Sequence, residues 1–270
     1  MAELNFSLVI FTLLIGLCTG TFLIYGLGRL RNNSAPAAAE KSSLLLMVVL
    51  LICLGVALLA SATHLGKPFR FMNAFHNPGS MIAQEGLWSM VLGVTLLIAV
   101  LMAFKGKIIP KGLYLVGSLV SCGLLLVCSM VYVKAVGFPA WSSGVTIIYY
   151  FGSAILLGAA VVFLFSMLHG EEVTEKNLAF TALTAVFLQM IVSVAFFVHL
   201  KFGVMDVTLP TTLGMDILRW GIGLIAPAVI ACLAWSGKLK GKSAAWSFLA
   251  CVLVGEAISR VIFFMQGIHL

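Results

Sequence analysis

Eight long apolar runs, separated by short polar segments, dominate the pattern of hydrophobic and polar positions along the chain. Each run is long enough to cross a bilayer as a helix of about 20 residues, and none has the strict alternation of a membrane β-strand. Backbone groups in lipid are satisfied only within helices or closed barrels, so the pattern predicts an all-α polytopic bundle of eight transmembrane helices. The predicted spans are about 6–27, 43–65, 86–104, 113–133, 145–168, 178–200, 217–235 and 245–266.

Composition excludes a soluble protein. The 270 residues are 62% hydrophobic and 9% charged, and the mean hydropathy is +1.16, whereas soluble domains are about half apolar. We interpret residues 1–270 as a single transmembrane helical-bundle domain. The net charge of +7 comes from short clusters between spans rather than from a basic face with interleaved aromatic residues, so nucleic acid is not an expected partner.

The distribution of Lys and Arg predicts that both termini lie on the outer, periplasmic side. Short loops rich in Lys and Arg stay in the cytoplasm, and alternate loops of this chain differ strongly in their content of these residues. Only Glu3 precedes the first span, so we interpret the Ala-rich stretch 35–39 as a linker and not as a signal-peptide cleavage site. The predicted inner loops hold ten cations (Arg29, Arg31, Lys41, Lys105, Lys107, Lys111, Lys176, Lys238, Lys240, Lys242), and the outer loops hold four (Lys67, Arg70, Lys134, Lys201).

The cysteines form no motif for a metal or an iron–sulfur cluster. All six lie within apolar runs and none has C-x-x-C spacing, so we interpret them as small core residues. The sequence therefore predicts no metal site in this chain. They are Cys18, Cys53, Cys122, Cys128, Cys232 and Cys251.

The segment 61–85, between the second and third spans, concentrates ionisable side chains on the predicted outer face. His64 ends span 2, Arg70 follows it, and Glu85 opens span 3. Ionisable groups at membrane depth are costly, and those that persist usually face a bundle interior and serve a function. The alternatives for single residues are a histidine bonded to a backbone carbonyl, an interfacial cation on lipid phosphate, and a carboxylate capping a helix.

Three further ionisable residues lie inside the last two spans. Arg219 is near the outer end of span 7, and Glu256 and Arg260 are spaced i, i+4 in span 8, where they share a helix face. They are interpreted either as a structural ion pair or as part of a ligand site. Pro227 is predicted to kink span 7 and to free the carbonyl of Gly223.

Histidine, carboxylate and arginine at the edge of a membrane suit the oxidation of a quinol. Its head group releases two protons and two electrons, and its tail partitions into lipid. Histidine is a proton acceptor near neutral pH, a carboxylate can relay the proton outward, and arginine can hold an oxygen.

The residues 64–70, HLGKPFR, followed by Asn73, resemble the HLGxPxR…N signature of the membrane-anchor subunit of bacterial dimethyl sulfoxide reductases, the DmsC-like family. Additional positions agree with that family over nearly the whole length. They are Glu85, Pro139-Ala140-Trp141, Arg219, Gly255-Glu256 and Arg260.

The resemblance implies a menaquinol-oxidising anchor of anaerobic respiration, multi-pass in the bacterial cytoplasmic membrane. Its partners would be an iron–sulfur subunit and a molybdopterin catalytic subunit on the periplasmic face, which would carry those cofactors and the terminal reduction. By the same resemblance His64 would contact menaquinol, with Arg70, Glu85 and Arg219 near it. Glu256 and Arg260 would support the pocket. Phe71 and Ser259 depart from the small residue and the Gly expected at those positions.

Two other functions remain open from the residues alone. His64 and His199 both end spans on the outer side and are candidate axial ligands of a haem b in an electron carrier. Alternatively, Glu256 and Arg260 are candidate substrate or proton groups of a transporter, although inverted repeats and paired broken helices would then be expected.

Overall fold

The computed structural model describes residues 6–31, 37–64, 77–169, 175–204 and 208–269, with the backbone alone for 37–42 and 64. Every regular element in this part of the chain is helical, and eight helices are long and apolar enough to cross a membrane. The predicted all-α polytopic fold is confirmed. The helices are α1 (Phe6–Arg31), α2 (Ala37–His64), α3 (Met81–Phe104), α4 (Lys111–Val133), α5 (Gly144–His169), α6 (Glu175–Val198), α7 (Leu213–Trp235) and α8 (Lys242–Met265).

Most helix ends lie a few residues outside the apolar runs, because polar residues also occupy terminal turns. The largest difference that bears on the site is at α3. A turn at 77–80, closed by the Ser80 N–H donating to the Asn77 carbonyl at 3.0 Å, starts this helix at Met81. Glu85 consequently lies inside the first two turns of α3 rather than at its start.

The bundle has two connected cores, one formed mainly by α1–α4 and the other by α5–α8. Helices α1 and α5 join them, and they approach closely because small residues face each other. A Cβ at Gly20 would overlap the backbone carbonyl of Ala154, and a Cβ at Gly158 would overlap the backbone of Gly20. The outward surface is apolar, as expected for contact with lipid: Ile191 and Leu119, for example, are 68% and 63% exposed.

Helix α7 contains a π-helical segment, Arg219–Ile225, which ends two residues before Pro227. Because proline has no N–H, it removes the α-helical bond to the carbonyl of Gly223, and the Ala226 N–H bonds instead to Gly221, five residues back. The segment crosses α8 where Gly223 meets Gly255, and a Cβ at Gly223 would lie 2.5 Å from the Gly255 Cα. This crossing places Arg219 beside the polar face of α8.

The two ends of the bundle are named here by their aromatic residues. The Trp141 end holds the segment 134–143, where the Trp141 indole N–H donates to the Phe263 carbonyl at 2.8 Å. The Tyr114 end holds the connections α3–α4 and α7–α8, and there the Tyr25 hydroxyl hydrogen bonds to Ser43 at 2.7 Å. His64 and Glu85 belong to the Trp141 end. His64 is the last residue of α2 and Glu85 is in the first turns of α3, and both of these helix ends lie at the Trp141 end.

Candidate functional site

A buried polar cluster forms where α5, α6, α7 and α8 meet. Its centre is the Ser153 hydroxyl, which donates to the Glu256 carboxylate and accepts from the Arg260 guanidinium at 2.8 Å. Glu256 and Arg260 therefore share a helix face as predicted, but Ser153 of α5 links them in place of a direct ion pair. Both side chains are almost fully buried, at 1% and 0% exposure.

Helix α6 supplies a second partner for the carboxylate. The Gln189 amide donates to the other oxygen of Glu256 at 3.2 Å. Gly152 provides the room for this side chain, because a Cβ at that position would overlap the Gln189 amide oxygen. Glu256 is thus held from two helices, as a buried charge in a low-dielectric interior requires.

Arg219 joins the cluster from α7. Its guanidinium donates to the Ser193 hydroxyl at 2.6 Å, and Ser193 in turn donates to the Gln189 carbonyl. Both guanidiniums lie near the ring of Tyr149, with their central carbons 5.4 Å (Arg219) and 5.9 Å (Arg260) from its centroid. Cation–π contact with Tyr149 offsets part of the cost of holding two cations together.

A chain of contacts continues from Arg260 toward α3. The Arg260 guanidinium lies over the Tyr150 ring, 4.2 Å from its centroid, and Tyr150 stacks on Tyr132 of α4. Cys128, one turn before Tyr132, interacts with the Glu85 carboxylate and is within electrostatic range of Arg260. Glu85 is therefore coupled to the polar cluster across α4 and α5.

The extended cluster contains as many carboxyl groups as guanidiniums. Two guanidiniums, Arg219 and Arg260, lie within a few side chains of two carboxylates, Glu256 and Glu85. Desolvating a charge costs several kcal/mol unless opposite charge and hydrogen bonds compensate it. Several donors nevertheless lack partners, since the Nε atoms of Arg219 and Arg260 form no hydrogen bond within the described residues.

Beside Arg219 is a cavity of about 500 Å³ at the Trp141 end. It lies between the end of α6, the start of α7 and the end of α8, and its wall combines apolar side chains with a few polar ones. Its volume is within the range of small-molecule sites.

The structure thus brings Arg219, Glu256 and Arg260 into one cluster and places Glu85 at its margin. The side chains of His64 and Arg70, and also Phe71 and Lys67, lie outside what the structure describes. Ser259, where the family resemblance led us to expect Gly, has a definite place, because its hydroxyl hydrogen bonds to the Tyr149 hydroxyl. His199 begins a π-helical turn, His199–Gly203, that extends α6. The centroid of its ring is 6.3 Å from the centroid of the Phe196 ring.

The sequence reasoning missed the uncharged members of the site. Ser153, Gln189 and Ser193 connect the charges, and Gln266 lines the cavity. Gln189 carried a usable signal, since an amide in the middle of an apolar run requires a polar partner inside the bundle. The serines gave no such signal, because a single hydroxyl in a membrane helix can hydrogen bond to a backbone carbonyl of its own helix.

These features define an eight-helix, multi-pass membrane protein with a buried arginine–carboxylate cluster and an adjacent cavity at one end. The family model described as "DMSO reductase anchor subunit (DmsC)" matches residues 2–266, and the chain belongs to this family. It is therefore a membrane anchor subunit of a DMSO reductase-like complex, a type of assembly with catalytic and iron–sulfur subunits. No individually curated protein matches the chain.

Proposed function

We propose that this anchor subunit oxidises menaquinol and passes its electrons to a partner iron–sulfur subunit, which delivers them to a molybdopterin catalytic subunit. The observation that carries the proposal is the half-buried Glu85 on α3, which packs beside α2, the helix that ends at His64. Glu85 interacts with Cys128, which lies within electrostatic range of Arg260 in the polar cluster. Helices α2 and α3 pack against each other, so both residues belong to one corner of the Trp141 end.

The proposed chemistry requires acceptors for two protons and two electrons. Oxidation of the quinol to the quinone releases two protons and two electrons. His64 takes the two hydroxyl protons in turn and passes each to Glu85, which relays them toward the outer surface. The iron–sulfur clusters of the partner subunit take the two electrons one at a time. Arg70 is assigned to a quinol oxygen, and Glu256 and Arg260 support the pocket from α8.

The charge asymmetry of the bundle supports an orientation with the Trp141 end outside. Within the described residues, and apart from the buried Arg219 and Arg260 inside the spans, the Tyr114 end carries nine Lys and Arg side chains, whereas the Trp141 end carries Lys134 and Lys201. Because Lys and Arg are retained on the cytoplasmic side, we assign the Trp141 end and both termini to the periplasm of a bacterial inner membrane. The partner subunits would then dock at the end that holds His64 and Glu85.

The assignment is tested with the assembled complex and a His64→Ala variant. Turnover driven by a menaquinol analogue should be lost, because the first proton acceptor is missing. Turnover driven by a reduced water-soluble dye that donates directly to the partner subunits should be unchanged.

The matched control is His169→Ala, which removes a histidine at the Tyr114 end. This variant should retain both activities. Full quinol-driven turnover in the His64→Ala complex would contradict the proposed role of His64.

A further inference from the structure

The cavity beside Arg219 contains two polar groups whose hydrogen bonds are incomplete. Arg219 and Gln266 each have 4% exposure, and both line the cavity. The Arg219 Nε and the Gln266 Oε1 have no hydrogen-bond partner among the described residues. The cavity therefore offers a cationic donor and a neutral acceptor to a ligand.

The orientation of the Gln266 amide is determined by its neighbours. Its nitrogen donates to the Pro210 carbonyl at 3.4 Å and to the Thr212 hydroxyl at 3.2 Å. Pro210 offers only an acceptor, and the Thr212 hydroxyl already donates to Asp216 at 2.8 Å. Both neighbours thus require the nitrogen, which leaves the amide oxygen free for a hydroxyl donor.

The remaining walls are suited to an aromatic ring with an apolar tail. Phe196, Phe197 and Trp220 line the cavity, together with aliphatic side chains. Lys201 and Asp216 also line it, and the Asp216 carboxylate accepts from the Thr212 hydroxyl. Two of the lining residues also face outward in apolar helices, since Phe197 is 51% exposed and Leu213 is 72% exposed. An amphiphile can therefore enter sideways from lipid.

We propose that this cavity binds the ring of a quinone or quinol at a second site, distinct from the corner that holds His64 and Glu85. Arg219 donates to one ring oxygen through Nε, and the Gln266 Oε1 accepts from a ring hydroxyl. The proposal rests on the proposed function in taking a quinone as the lipid-soluble substrate. It adds a site formed by the ends of α6, α7 and α8 and by the described part of the α6–α7 connection. This site is linked to Glu85 through Ser193, Gln189 and the rest of the polar cluster.

The test uses the assembled complex and a menaquinone analogue that carries a photoreactive diazirine on its ring. After illumination, labelled peptides are quantified by mass spectrometry. Adducts should form in two separate places, the segment 61–85 and the cavity segments 196–204 and 209–220.

Two variants and one matched control examine the cavity. Gln266→Leu removes the acceptor, and cavity labelling at sub-saturating analogue should fall about fivefold, as for the loss of one hydrogen bond. Val204→Trp fills the cavity and should abolish its labelling, because Val204 is a buried lining residue. Val194→Trp makes the same exchange at a lipid-facing position of α6 and should leave labelling unchanged.

The outcomes separate this inference from the proposed function. Adducts at 61–85 alone, or cavity labelling unaffected by both cavity variants, overturn the second site and leave the proposed function standing. Adducts in the cavity alone support the second site and contradict quinol binding at His64. Displacement of the cavity adducts by phosphatidylglycerol, but not by unlabelled menaquinone, assigns the cavity to a lipid phosphate and overturns the quinone assignment.

Discussion

The crossing of α7 and α8 at Gly223 and Gly255 allows a quantitative test of how the cluster is held together. A Cβ at Gly223 would lie 2.5 Å from the Gly255 Cα, and both groups belong to the backbone. Ordinary van der Waals contacts of a Cβ start near 3.4 Å. Gly223→Ala therefore forces the two helices apart by about 1 Å, because no side-chain rotation can relieve the overlap.

The expected cost is that of overpacking a close-packed interior, about 1–3 kcal/mol in the free energy of unfolding. Gly221→Ala is the matched control, two residues away in the same π-helical segment. A Cβ at Gly221 would meet nothing within 4 Å. Since alanine also reduces the entropy of the unfolded chain, this control should be neutral or stabilised by up to about 1 kcal/mol.

The free energy of unfolding can be measured by titrating the purified subunit from mild detergent into SDS while recording helical circular dichroism. Separation of the helices should also move Arg219 away from Tyr149 and Ser193, so quinol-driven turnover of the complex should fall in Gly223→Ala alone. Equal stability of the two variants would refute the reasoning, because the destabilisation would then not depend on the contact with Gly255.

Two further predictions concern the polar partners of Glu256. Gly152→Ala should displace the Gln189 amide from the carboxylate and lower quinol-driven turnover severalfold, with dye-driven turnover unchanged. Gly144→Ala in the same helix is the control, because its Cβ would contact no neighbouring atom, and it should leave both activities unchanged. Glu256→Leu should reduce the free energy of unfolding by about 3 kcal/mol, because it leaves two buried guanidiniums with less compensating charge. Glu256→Leu combined with Arg260→Leu should recover part of that loss in the same SDS titration, and a double variant no more stable than Glu256→Leu would contradict the charge-balance argument.

The eight helices were predictable because lipid imposes a single strong rule, a continuous apolar run of sufficient length. The start of α3 at Met81 was not predictable. The first turn of this helix contains polar residues, and the turn at 77–80 determines where the helix begins. Family membership was predictable from the short motif at 64–70 with scattered single residues. Sequence spacing also indicated that Glu256 and Arg260 share a face, because residues four apart on a helix always do.

The contacts between helices were beyond the reach of local sequence. Ser153 is 103 residues from Glu256, and Ser193 is 26 residues from Arg219. Packing alone decides which serine faces a charge, and that packing depends on glycines whose role is to have no side chain. Gly152 and Gly223 show this most clearly, since one makes room for an amide and the other for a neighbouring helix.

The position of the π-helical segment connects these observations to the site. Hydrogen bonds span four residues in an α-helix and five in a π-helix, so each turn of an α-helix holds fewer residues. An α-helical path through residues 219–225 would therefore rotate Arg219 relative to the face that follows the proline. With the wider turn, Arg219 points toward Ser193 and the cavity while Gly223 still meets Gly255. One irregular segment thus satisfies two requirements, close packing of α7 on α8 and an arginine directed into the space between α6 and α8. The proline that makes a regular helix unfavourable here is therefore part of how the site is built, because it favours the geometry that aims Arg219.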